Sequence, residues 1–177
     1  MVATTSNTQK TTIQYQFLVI GYGNELRGDE GIGPWVARSV DKWQLPSVKA
    51  LAVPQLLPEL TSEIAKAKHV IFVDACARRC AQTVQIDPLV VRSSSPFLSE
   101  NTHYCDPHAL LSLTHTLHGS RPRAWLLQVA AKCFDLGCEL SDTADQGCDR
   151  ALQTIAQFLT TYQPPRRIDV KSPALAS

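Results

Sequence analysis

Residues 17–33, FLVIGYGNELRGDEGIG, constrain this chain more than any other stretch, because they tie a buried-strand pattern to a glycine loop that carries two adjacent acids. Phe17, Leu18, Val19 and Ile20 form a short apolar run without polar alternation, which is how a strand covered on both faces reads. Five glycines follow, at positions 21, 23, 28, 31 and 33. They allow positive φ or a close backbone approach, at an entropic cost that a merely connecting loop need not bear. Asp29 and Glu30 sit inside the loop. Beyond it Ile32, Trp35, Val36, Val40 and Trp43 recur at helical spacing, with Pro34 where a first turn tolerates it.

The rest of the chain repeats this alternation. Residues 48–53 read as a second strand ended by Pro54, and Pro58 opens a helix that turns Leu60 and Ile64 inward. Residues 70–73, VIFV, predict a third strand that delivers Asp74 at its carboxyl end. Residues 83–91 predict a fourth strand, placed at an edge because Pro88 interrupts it. Pro107 starts a helix with Leu110, Leu113 and Leu117 on one face, which Gly119 can end in the left-handed conformation. Residues 124–129 give a fifth strand. The last helix is expected from an N-cap at Ser141 or Asp142, with Cys148, Leu152, Ile155 and Leu159 on one stripe. Strands alternating with helices predict an α/β fold, a three-layer αβα sandwich whose mostly parallel five-stranded sheet carries helices on both faces. Residues 1–13 and 163–177 are polar or Pro-rich and read as flexible tails around a single domain at 14–162.

Charge and cysteine content narrow the partners. Seventeen Lys and Arg against 16 Asp and Glu leave a net charge of +1, which offers no footprint for nucleic acid or an anionic membrane. The first dozen residues lack an apolar signal core, and no window approaches the ~18 apolar residues of a spanning helix. A cytoplasmic monomer acting on a small molecule or a protein is expected. The six cysteines, without a signal peptide or mini-protein scale, read as mostly reduced, buried small hydrophobes.

In a parallel sheet, ligands bind beyond the carboxyl ends of the strands near the switch in strand order. Three groups are expected at that edge: the glycine loop with Asp29 and Glu30, Asp74, and the histidine-bearing connection after the fourth strand. A dinucleotide site is disfavoured, since the third glycine of GxGxxG would fall on Leu26 and acids stand where a pyrophosphate would lie. A loop carboxylate, Asp74 and one imidazole suit a borderline divalent ion such as nickel or zinc with coordination positions left open. Of the five histidines, His69 precedes a strand at its wrong end, and His108, His115 and His118 ride on a helix. His103 lies in the loop that reaches the carboxyl edge. Cys105, two residues from His103, is an alternative nucleophile with nothing in the sequence to orient it. Cys76-x3-Cys80 and Cys133-x4-Cys138 lack CxxC spacing, and neither GxSxG nor HExxH occurs.

Taken together, GYGNELRGDEGIG after an apolar strand, QLLPEL at 55–60, VIFVDA at 70–75 and HxxxPxxLL at 103–111 resemble the hydrogenase maturation endopeptidases in order and spacing over residues 17–159. The resemblance is greatest to the branch that processes the large subunit of the bidirectional, NAD-coupled nickel-iron hydrogenase. It implies a peptidase, aspartic-type or metal-dependent, that removes a C-terminal extension from the hydrogenase large-subunit precursor after nickel insertion. It further implies that Glu30, Asp74 and His103 contact the nickel, a metal contributed by the substrate rather than retained as a cofactor. Alignment on Pro107 and Leu110-Leu111 selects His103 over His108. Many relatives carry Asp at the position of Glu30. Glu30 and Asp74 are the candidate catalytic acids, with Asp29 either a third or a loop-capping residue. The alternatives are a nickel-dependent assembly factor that holds the same precursor without cutting it, and a nucleotide-binding domain.

Overall fold

The computed structural model describes residues 12–76, 82–90 and 105–162. His103, Cys80 and nearly all of both expected tails lie outside them. Among the described residues the order is β1 (Tyr15–Tyr22), α1 (Ile32–Asp41), β2 (Val48–Val53), α2 (Thr61–Ile64), β3 (Ala67–Cys76), β4 (Val84–Leu89), α3 (Pro107–His118), β5 (Arg123–Ala130) and α4 (Asp142–Tyr162). Short 3-10 turns at Gly28–Gly31 and Pro58–Leu60 lead into α1 and α2. The sheet order is β2-β1-β3-β5-β4. The first three pairings are parallel, and β4 pairs antiparallel with β5. As expected, the strand interrupted by Pro88 is at an edge, where a missing N–H leaves no ladder bond unmade.

The sandwich follows from how the strands divide their side chains. Phe17 and Val19 of β1, Ile71 and Val73 of β3, and Leu127 and Val129 of β5 pack against α1 and α4 through Val36, Val40, Cys148, Ala151 and Ile155. Their sequence neighbours Leu18, Ile20, Val70 and Phe72 point the other way, against Ile64, Leu110 and Leu111 of α2 and α3. Each central strand is therefore apolar on both faces, which is why its sequence shows no alternation.

Two expected helix faces needed revision. On α3 the buried stripe is Pro107, Ala109, Leu110, Leu111 and Thr114, whereas Leu117 is 60% exposed. Thr114 can occupy an apolar face because its hydroxyl donates to the Leu110 carbonyl at 2.8 Å, satisfying its polar atom within the helix. On α4 the stripe includes Ala144, Gly147 and Ala151, with Leu152 only half-buried. Ser141 is the N-cap, its Oγ accepting from the Ala144 N–H at 3.2 Å.

Candidate functional site

The chain leaves β1 for β2 on one side and returns to β3 on the other, so the strand order switches between β1 and β3. At their carboxyl ends lies a cleft of about 370 Å³, whose lining includes Tyr22, Asn24, Glu30, Gln55, Asp74 and Phe134. Register explains the meeting of Tyr22 and Asp74. Gly21 pairs with Val73, so the next residue on each strand stands side by side, and the Tyr22 hydroxyl donates to Asp74 Oδ2 at 3.0 Å.

Glu30 arrives by way of the glycine loop. Gly23 adopts φ 143°, and a Cβ there would lie 2.0 Å from the Glu30 carbonyl oxygen, so the loop can fold back only without a side chain. Gly33, in the first turn of α1, lets that turn sit on the strand ends. A Cβ on it would meet Tyr22 O at 2.3 Å and Val73 O at 2.6 Å. These contacts seat the acidic turn over the β1–β3 crevice.

The electrostatics of the cleft favour a cation. Its two ionisable acids, Glu30 and Asp74, share it with neutral polar groups, and neither Lys nor Arg is among its lining residues. Burial raises the Asp74 carboxyl above the usual range, and the Glu30 charge raises it further; the bonds from Tyr22 and the Ala75 N–H offset this only in part. The Tyr22 phenol is pushed up by burial and by Asp74, so it stays protonated as a donor. Arg27 lies 3.9 Å from Glu30 Oε2, but both side chains are substantially exposed and the pairing is weak. Two acids thus face the cleft, one of which, Asp74, burial biases toward its protonated form.

Asp29 is not brought to this cleft. It is fully buried on the opposite side of the turn, where Oδ2 accepts from the Lys132 and Cys133 N–H groups and from Ser141 Oγ, while Oδ1 accepts from the Ser141 N–H. Burial pushes its carboxyl up, but these bonds outweigh it and hold the group below the usual range. Asp29 thus staples the glycine loop to the β5–α4 connection and the α4 cap, which supports the loop-capping alternative for it. Its neighbour in sequence faces the cleft because a 3-10 turn sends successive side chains in different directions.

No imidazole among the described residues lines the cleft. His69 is buried within β3 in an aromatic cluster with Phe17, Trp125 and Tyr162. His115 is bonded by Arg121, and His118 by Thr61 of α2. Cys105 is buried, and burial followed by the Asp106 and Glu59 charges raises its thiol, which argues against a nucleophile. Tyr22, Asn24, Gln55 and Phe134 were not singled out as site residues by sequence. For Tyr22 the signal was its place at the end of a buried strand. Phe134 had none, because it comes from the β5–α4 connection, far in sequence from the other lining residues.

Solved structures share this architecture. The NiFe hydrogenase maturation protease HycI from Thermococcus kodakarensis aligns with a TM-score of 0.64 at 23% identity, over 86% of this chain and 94% of that one. The hydrogenase maturating endopeptidase HybD from E. coli aligns at 0.64 and 24% identity, over 82% and 93% of the two chains. An endopeptidase from Escherichia coli in solution gives 0.60 and 25%, with the same coverages of 82% and 93%. Neither a family model nor a curated protein matches the sequence. The chain has the fold of these maturation proteases.

Proposed function

We propose that this protein is an endopeptidase that removes the C-terminal extension of a nickel-iron hydrogenase large-subunit precursor after nickel insertion, in the branch that serves the bidirectional NAD-reducing enzyme. The observation that carries the reading is the placing of Glu30 and Asp74 on one cation-favouring cleft at the β1–β3 switch point. The sequence resemblance and the shared fold point the same way. Nickel held by the substrate's cysteines completes its coordination on Glu30, Asp74 and His103, so that an empty precursor is bound weakly and spared. His103 is two residues upstream of Cys105 in sequence, and the Cys105 N–H donates to the carbonyl of Leu56, the neighbour of Gln55 in the cleft lining. Asp74 is the acid we assign to proton exchange with the attacking water or the leaving amine, a role its burial-raised carboxyl supports.

The test is processing of nickel-loaded and nickel-free precursor by the wild type and by Glu30→Ala, Asp74→Ala, His103→Ala and His108→Ala. Cleavage of loaded precursor alone, lost in the first three variants, is the expected result. Full cleavage of nickel-free precursor by the wild type would sink metal sensing. Precursor that co-purifies with the protein but stays full length would favour the assembly-factor alternative. If His108→Ala is dead and His103→Ala active, only the ligand assignment moves.

A further inference from the structure

The β5–α4 connection carries a second constellation that lies apart from Glu30 and Asp74. Cys133, Asp135 and Cys138 each offer one ligand atom, and the three atoms lie within 4.8 Å of one another. Both cysteines are free thiols, half-buried and hydrogen-bonded to each other, and Asp135 is exposed.

Their convergence is built into the backbone. The Cys138 N–H donates to the Asp135 carbonyl at 3.3 Å, and Gly137 at φ 82° supplies the left-handed position that closes the turn. Gly137 N–H donates to Leu26 O at 2.8 Å, Asp29 N–H donates to Cys133 O at 2.8 Å, and Cys133 N–H donates to Asp29 Oδ2 at 3.0 Å. The loop is therefore held on the glycine loop from several sides before any ligand arrives, which lowers the ordering cost of binding. Cys138 also lines an adjoining hollow of about 400 Å³, shared with Glu139 and the Glu25–Arg38 ion pair, that leaves room for a water ligand.

We propose that Cys133, Asp135 and Cys138 bind a thiophilic divalent cation of the zinc type, with water in the fourth position. Two sulfurs and one carboxylate select zinc or cadmium over magnesium and calcium, which demand oxygen shells, and three protein ligands leave a tetrahedral position open. Binding replaces the thiol protons with the metal and releases them to solvent, so affinity rises with pH. Phe134, between two of the ligand positions, forms part of the wall of the Glu30–Asp74 cleft. Occupancy thus fixes one wall of that cleft without contributing a ligand to it.

The probe is cadmium. The full-length protein, reduced and metal-stripped under anaerobic conditions, is titrated with Cd²⁺ while the thiolate-to-cadmium charge-transfer band is followed. One equivalent should saturate the band. Cys133→Ser and Cys138→Ser should each abolish it, and Asp135→Asn should weaken binding by about tenfold. Zinc should compete it away, and Glu30→Gln should leave it intact. Absence of a saturable band, or a band that survives both serine variants, overturns the proposal. So does a Cys133–Cys138 disulfide in air-exposed protein that takes up no metal after reduction. Circular dichroism checks that each variant is folded. If either single serine variant fails that check, the double Cys133→Ala, Cys138→Ala variant decides. Because the readout needs no precursor, failure here leaves the peptidase reading standing, and failure of processing leaves this site standing.

Discussion

Replacing Asp29 by Asn separates a structural acid from a catalytic one. The side chain is fully buried and accepts four hydrogen bonds, three of them on Oδ2. The best amide orientation keeps its carbonyl oxygen at the Oδ2 position and turns the NH2 group against the Ser141 N–H. One bond becomes a donor–donor contact, at about 1–3 kcal/mol, and the remaining three lose their charge assistance. A total loss of about 2–4 kcal/mol is expected, a large share of the roughly 5–15 kcal/mol that holds a domain together. With a urea m-value of about 2 kcal/mol/M this moves the unfolding midpoint down by about 1–2 M. The pH dependence gives an independent check. A carboxyl held below its unfolded value stabilises the fold above that value, about pH 4, and loses this contribution as pH falls through the folded pKa. That part of the acid-side slope should vanish in Asp29→Asn. Specific cleavage, assayed at a temperature where the variant is folded, should persist. Unchanged urea stability combined with abolished cleavage would refute the staple and return Asp29 to the chemistry.

Three further outcomes follow from the cleft and its supports. Tyr22→Phe deletes the 3.0 Å bond to Asp74, so the Asp74 carboxyl should rise further in a carbon-13 NMR titration; a fall would contradict the assigned donor. Asp74→Asn should be more stable than the wild type near neutral pH although inactive. A raised carboxyl supports the fold below its unfolded pKa and loses that support as pH rises through the folded one, so thermal melts should converge toward about pH 4. Gly33→Ala should cost about 2 kcal/mol or more, because the new methyl meets backbone atoms of Tyr22 and Val73 at 2.3–2.6 Å, which cannot rotate away.

Much of this protein could be read from local pattern. The strand at Val48–Val53 matches its expected bounds. The helix start at Pro107, the Gly119 terminator at φ 66° and the edge position of the Pro88 strand also match. Each depends on neighbours in sequence: run length, a fixed proline φ, a glycine that alone tolerates a left-handed residue. That the acidic glycine loop and Asp74 reach the carboxyl edge of the sheet was legible for the same reason, since the loop follows β1 and Asp74 lies near the end of β3. The α3 face was less legible, because hydropathy alone cannot tell that Thr114 would satisfy its hydroxyl on its own helix.

What only the tertiary structure decided concerns groups brought together across the chain. Adjacent acids in a loop look alike in sequence, yet Asp29 is buried under residues 132, 133 and 141 while Glu30 opens onto the cleft. Tyr22 and Asp74 meet through strand register over 52 positions. Cys133-x4-Cys138, which has no recognised ligand spacing, becomes a cluster with Asp135 through a turn that Gly137 permits. The sequence by itself determined which strands and helices form and that acids reach the carboxyl edge of the sheet, because those are set by nearest-neighbour sterics and burial. Which acid faces a ligand, and which donors share one point in space, were decided by hydrogen bonds and packing between segments that only the folded sheet holds adjacent.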